Sequence, residues 1–268
     1  QLGAGYTNTD YTFTDETDMV DVWHLFIHAK DKFPEAFDLG QLIDTRERRR
    51  IVGDFTLTIL DQASGRRFPD TIAQAAASYD THGYIVDPYL LLQHPRRQVF
   101  TSDIPYRSLL PKGLEGLIVT GIALSAHRDA QPIVRMQPDI QNQGYAAGAA
   151  AAMAAKAGTL VRNIDIRQLQ RHLVEIGNLP QSVLADQDSH PLPAETVAAA
   201  VARFPDDYRS LAIILGHRDV SLPLLEAAWR DATGDKKLAY AKVLAMMGSQ
   251  AGLATLLAAV EEIDEWDN

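Results

Sequence analysis

Residues 117–148 read LIVTGIALSAHRDAQPIVRMQPDIQNQGYAAG, and the rest of the chain takes its meaning from this stretch. The apolar run 114–120 (LEGLIVT) closes on Gly121 and has turn signals on both sides, the pattern of a buried strand. A strand that ends in glycine lets a ligand come close to the backbone, because no side chain stands in the way. Further along, Gly144–Lys156 is dominated by alanine, the strongest helix former. A helix beginning near Gln143-Gly144 would offer free N–H groups and the positive end of its dipole, which suits an anion. Ala146, Ala147 and Gly148 are small enough for a flat ring or a neighbouring helix to pack on them. Strand, loop and small-residue helix together predict the closing unit of an α/β domain.

Towards the N-terminus the signals are mixed. Residues 6–18 are rich in Thr and Asp and predict loop with one strand. In 18–33 (DMVDVWHLFIHAKDKF), Val20, Trp23, Ile27 and Ala29 fall near helical spacing; Asp15 is a candidate N-cap and Pro34 a stop. The segment 45–58 (TRERRRIVGDFTLT) runs from a basic cluster into alternating residues at Val52, Phe55 and Leu57, which predicts a strand entry. Residues 61–74 predict a short helix and a turn at Phe68-Pro69-Asp70. From 79 to 107 the chain is aromatic and holds Pro88, Pro95 and Pro105, so strands and loops are expected.

After residue 158 the character becomes helical. Residues 163–176 predict an amphipathic helix capped by Asn163, and 178–193, with Pro180, Pro191, Pro193 and a DQDSH stretch, a linker. From 194 onward all is helix. An internal echo appears at an offset of 32: Leu215-Gly216 matches Met247-Gly248, Leu224-Leu225 matches Leu256-Leu257, and Ala227 matches Ala259. Two helix pairs at that period suggest HEAT-like stacking, with a plain helical bundle as the alternative. The acidic end EEIDEWDN reads as a solvated tail.

Composition narrows the function classes. The 268 residues (29.5 kDa) can bury a sizeable core, and 46% apolar with 22% charged residues is ordinary globular usage. A formal charge of −10 argues against a broad nucleic-acid or anionic-membrane footprint. No run approaches the length of a membrane span; 146–158 is too short and too Ala-rich. The lack of cysteine removes disulfides, Cys-based zinc sites and thiol nucleophiles. The chain starts without Met and without a basic or apolar leader, so it reads as beginning inside a longer gene product, and its compartment stays open.

LGAG at 2–5 is no dinucleotide loop, since the third glycine position is Asn8 and no apolar strand precedes it. Walker, HExxH and GxSxG patterns are missing, and the site is expected to be metal-free. Asp186, Asp188 and His190 could touch a metal, although a solvated linker explains them as well. The cluster Arg46, Glu47, Arg48, Arg49 and Arg50 could hold a phosphate or carboxylate bidentately, or be an ion-paired surface.

Taken in order, RERRRIVGDFTLT (46–58), GRRFPDTIA (65–73), DIPYRSLLPKGLEGLIVTG (103–121) and LSAHRDAQPIVRMQPDIQNQGYAAGAAAAMAAKAG (124–158) resemble the C-terminal half of the bacterial FAD-dependent oxidoreductase family, some members of which are labelled putative xanthan lyases. The likeness covers about 40–180, more weakly 10–40. It implies a mixed α/β (α+β) chain, part of a glutathione-reductase-type FAD fold with substrate-domain strands, ahead of the all-helical HEAT-like region read from the echo. With the reading of the C-terminal residues, the expected division is 1–110 substrate-domain portion, 111–160 closing strand and helix of the FAD-binding domain, 161–193 helix and linker, and 194–268 helical appendage.

The same resemblance implies site positions. Gly121 would face the ribityl and pyrophosphate region, with Ile122 beside it. Gln143, Gly144 and Tyr145 would face the pyrimidine end of the isoalloxazine from the helix N-terminus. Arg135, Met136 and Pro138 would approach through the preceding loop, and Ser125, Ala126, His127 and Arg128 would sit nearer the reacting face. Many relatives read Gly-Arg-Cys where this chain has Gly121-Ile122-Ala123. His127 is the candidate for proton handling, since imidazole titrates near neutrality; a hydrogen-bonded structural role is its alternative. Arg107 and Arg49 are candidates for gripping an anionic group of a small-molecule substrate, or else are structural ion pairs. The expected activity is hydride transfer between substrate and flavin, with FAD as cofactor. The nucleotide-binding half would lie on the same or a partner chain, without which this portion would be inactive. The competing reading is a non-catalytic binding module that uses the helical repeats as a scaffold.

Overall fold

A computed structural model of the chain describes residues 18–32, 34–35, 50–80 and 85–263. The calls on Asp15, on 6–17, on Arg46–Arg49 and on 264–268 lie outside these residues. Helix α1 (Met19–Lys32) forms where the spacing predicts it, started by Asp18, whose carboxylate accepts from the Val20 N–H at 2.8 Å. Its residues Val20, Trp23 and Ile27 are exposed.

The centre of the molecule is built from three irregular segments rather than from a broad sheet. Residues 51–57 thread between 107–111 and 123–127. Ile51 N–H donates to Ala123 (3.0 Å), Asp54 to Leu110 (2.9 Å), Phe55 to Arg107 (3.3 Å) and Leu57 to Ser125 (3.0 Å). His127 N–H donates back to Leu57 (2.7 Å), and Ser125 to Ser108 (2.8 Å). The predicted strand at 52–57 is therefore reduced to two isolated bridges, Gly53 with Pro111 and Leu57 with Ala126. Its partners leave it after single contacts, so no ladder extends. Gly53 is needed for this crossing, because a Cβ there would fall 2.7 Å from Ser125 Cβ and 3.2 Å from the Arg107 carbonyl.

Helix α2 (Ile59–Ser64) follows, with Thr58 and Asp61 in a capping box and Gly65 as a left-handed C-cap. Strands β1 (Thr71–Ala77) and β2 (Phe100–Pro105) form an antiparallel pair with an irregularity between Thr71 and Ala73. Between them a short helix, α3 (Pro88–Leu92), capped by Asp87, replaces the loop expected there. Two further helices complete this part: α4 (Gln131–Val134) and the long α5 (Gln137–Ala157). Both pack on β1.

The run 114–120 departs most from expectation. It forms no strand, and Leu114 and Leu117 are 56% and 46% exposed. Within it, Val119 N–H donates to the Leu109 carbonyl and Leu114 N–H to that of Pro111. An apolar run becomes a buried strand only where other strands flank it, and none does among the described residues.

The C-terminal part is helical, as read. Helix α6 (Ile166–Glu175) is capped by Asp165, not Asn163, since the apolar register Leu169 and Leu173 begins from Ile166. The segment 178–193 is not a free linker. Arg66 clasps both oxygens of Asp188 at 2.9 Å, Arg67 bonds Asp186 at 2.7 Å, and Ser189 exchanges two bonds with the Arg67 backbone. Helices α7 (Ala194–Arg203), α8 (Tyr208–Gly216), α9 (Arg218–Asp231), α10 (Gly234–Met246) and α11 (Leu253–Glu261) follow. Helix α8 packs on α2 and α3, so one contiguous apolar core runs from Leu57 to Met247.

Candidate functional site

Gly121 opens a short 3₁₀ turn (Gly121–Ala123) with φ of +73°, a conformation in which a Cβ is strained. The turn packs against the start of α5, where Ile140 Cγ2 lies 3.5 Å from the place a Gly121 Cβ would take. Gln131 donates its amide to the Ile122 carbonyl (3.2 Å), and Gln143 donates to the Val134 carbonyl (2.9 Å). These contacts bring segments 120–122, 131–134 and 139–143 together.

Helix α5 begins earlier than its alanine content suggests. Met136 is its N-cap position, extended at φ −66° and ψ 145°, and Pro138 occupies the first turn. Proline's fixed φ and missing N–H fit that position. The free N–H groups therefore belong to the turn at 137–139, and Gln143, Gly144 and Tyr145 lie in the next turn and beyond. Met136 is half-buried and Pro138 exposed.

The chemistry of this junction lies in its acceptors. Thr120 Oγ1, Gln131 Oε1, Asp139 Oδ2 and Gln143 Oε1 are buried oxygens with no hydrogen-bond partner among the described residues. Such orphans are costly, and here four of them fall on adjoining segments. Burial holds the Asp139 carboxyl above its ordinary range, with no donor to pull it down. The folded state therefore binds this proton more tightly than the unfolded chain, so this group's contribution to stability declines as pH rises past the ordinary carboxylate range.

The other predicted residues sit elsewhere. Tyr145 is nearly half exposed and hydrogen-bonds His172 at 2.9 Å across a cleft of about 630 Å³ between α5 and α6. Gly144 has open space around it. Arg135 is buried and donates to the Asp80 carbonyl at 2.7 Å. Ser125 is fully buried, with its hydroxyl 2.9 Å from that of Thr56, and belongs to the central crossing.

His127 caps the turn Arg128–Ala130 by accepting from Asp129 N–H at 3.4 Å, and its Nδ1 lies 3.9 Å from Asp87 Oδ2. Burial raises the Asp87 carboxyl, partly countered by the Tyr89 N–H and by His127. Arg107 grips Asp70 through Nε (3.0 Å) and Nη2 (3.1 Å), with its guanidinium 5.2 Å from the Phe55 ring centroid. It lines a basin of about 540 Å³ with Arg162 and Arg167, and each of the three guanidiniums is already engaged. Arg49 lies outside the described residues. Thus Gly121, Ile122 and Gln143 come together, while Arg107 and Tyr145 serve other contacts.

Sequence reading missed Thr120, Gln131 and Asp139. The Pro138-Asp139 pair was the available signal, because it marks where the helix starts. No described group of His, Asp and Glu could hold a metal ion, and no described helix is long and apolar enough to cross a membrane.

Residues 14–173 match the profile of the FAD dependent oxidoreductase family, well over half of the chain. The chain belongs to that family. The matched span holds the 51–57 crossing, the Gly121 turn and all of α5, and the family implies FAD as cofactor. No curated protein and no solved structure matches the chain.

Proposed function

We propose that this chain supplies one wall of the flavin site of an oxidoreductase acting on a small molecule, and that the nucleotide-binding half comes from sequence outside the described residues or from a partner chain. The orphaned acceptors around Gly121 carry this reading. The ribityl chain of FAD brings hydroxyl donors and its ring an N–H, so Thr120, Gln131, Asp139 and Gln143, closed off from solvent here, would fit the group where the junction opens to it beside Gly121. Bound there, FAD would supply the two-electron chemistry. The chain's own part would be to orient the cofactor, and the first turn of α5 would place its positive end towards negative charge. Ile122 would stand at the edge of this wall, and Arg135 and Met136, just before α5, and Pro138, in its first turn, would frame it. Gly144 and Tyr145 would lie one turn deeper along the helix. Ser125 would act only through the crossing it braces. His127, partly exposed beside Asp87, is the best-placed proton carrier for a substrate.

The run 114–120 supports the division of labour, because it has the composition of a sheet strand and pairs with no strand among the described residues. In this reading 111–160 closes the FAD domain, the segment before it belongs to the substrate domain, and 194–268 is an appendage. The echo at offset 32 falls at matching places in α8–α9 and α10–α11, which supports a repeated helix pair.

Gly121→Val in the assembled protein should lower flavin content by at least tenfold, measured as FAD per chain. Gly158→Val is the control. It imposes similar strain at φ +62°, with nothing within 4 Å, at the far end of α5. Equal flavin content in the two variants would remove Gly121 from the site.

A further inference from the structure

Helix α11 has the sequence LATLLAAVE, apolar nearly all round, yet none of its residues is buried. A helix of that composition is normally covered on most sides. Its inner side is fixed: Gly252 lies so close to α10 that an added Cβ would fall 2.8 Å from Ala241, and Trp229 Nε1 donates to Thr255 Oγ1 at 3.3 Å. The outer side presents Leu253, Leu257 and Val260, which are 51%, 55% and 63% exposed. The equivalent of Leu257 one echo earlier, Leu225, is fully buried. The position that another layer covers in α9 is open in α11.

We propose that this face is covered by the same face of a second copy of the chain, with the two α11 helices antiparallel about a two-fold axis beside Leu257. The spacing of 253, 257 and 260 is the four-three rhythm of a paired-helix seam, and reversal brings Leu253 of one copy beside Val260 of the other. The charges agree with that orientation. Gly252, at the N-cap of α11, has no side chain to receive the first N–H groups, while Glu261 and Glu262 stand exposed at the other end. Antiparallel pairing sets these carboxylates beside the partner's uncapped, positive helix end. A parallel pair would stack the acidic ends together.

The chain has no cysteine, which makes the arrangement directly testable by cross-linking. Sedimentation of the purified full chain should give twice 29.5 kDa, and Leu257→Glu should return it to a single chain mass with unchanged helical circular dichroism. Leu257→Cys, oxidised with diamide, should cross-link into a dimer, whereas Ala202→Cys, exposed on α7, should not. A monomeric wild-type chain, whether or not another protein occupies this face, together with no cross-link through position 257, would overturn the proposal.

Discussion

Gly53→Ala is expected to destabilise the protein by about 3 kcal/mol, although it adds a single methyl group. The new Cβ would sit 2.7 Å from Ser125 Cβ, 3.1 Å from the Phe55 carbonyl and 3.2 Å from that of Arg107. Two of these neighbours are backbone, and the third is a fully buried residue held by Thr56 and by backbone bonds to Ser108 and Leu57. None can withdraw without opening the crossing of 51–57 with 107–111 and 123–127. Overpacking of this kind costs ~1–3 kcal/mol when side chains can adjust, and here the obstacle is mostly main chain. A chemical-denaturation series comparing the variant with wild type measures it. A loss below 1 kcal/mol would mean that the crossing is looser than described.

Gln170→Leu should cost a similar amount, about 3 kcal/mol, by a different route. Gln170 is fully buried on α6, and its amide donates to the carbonyls of Pro69 (2.9 Å) and Thr71 (3.0 Å), while its oxygen accepts from Arg167 (2.8 Å). Leucine keeps the volume and removes all three bonds, leaving two carbonyls at the start of β1 without donors. Each abandoned buried acceptor costs ~1–3 kcal/mol. Amide exchange in β1 should accelerate with the global loss. An unchanged midpoint would show that α6 and β1 are held together by packing alone.

Both residues show what local sequence can carry. Helix α1 was legible because apolar spacing and a nearby acid mark it within its own length, and the helices after 194 for the same reason. The strand predicted at 114–120 was not realised, because its composition reports a buried setting while burial depends on neighbours elsewhere in sequence. Helix α5 starts at Gln137 rather than near Gln143-Gly144 because Pro138, which prefers the first turn, marks the start more sharply than alanine content does. The polar stretch 186–190 reads as linker by composition, and pairing with Arg66 and Arg67, more than a hundred residues away, helps to fix it.

The candidate site divides in the same way. Gly121 could be named from sequence, since a glycine after an apolar run suggests close approach. For Arg107 the sequence leaves an anion grip and a structural ion pair both open, and its partner Asp70 is visible only in space. The orphaned oxygens of Thr120, Gln131 and Asp139 are invisible to sequence, because being unpartnered is a property of the fold and not of the residue.

The central claim is that this chain helps to hold FAD. The native protein, isolated with every chain that accompanies it, should release a flavin on heat denaturation. The supernatant should then absorb at about 450 nm, or, if the cofactor is covalently held, one chain should carry the added mass of FAD. A colourless supernatant together with unmodified chain masses would contradict the account.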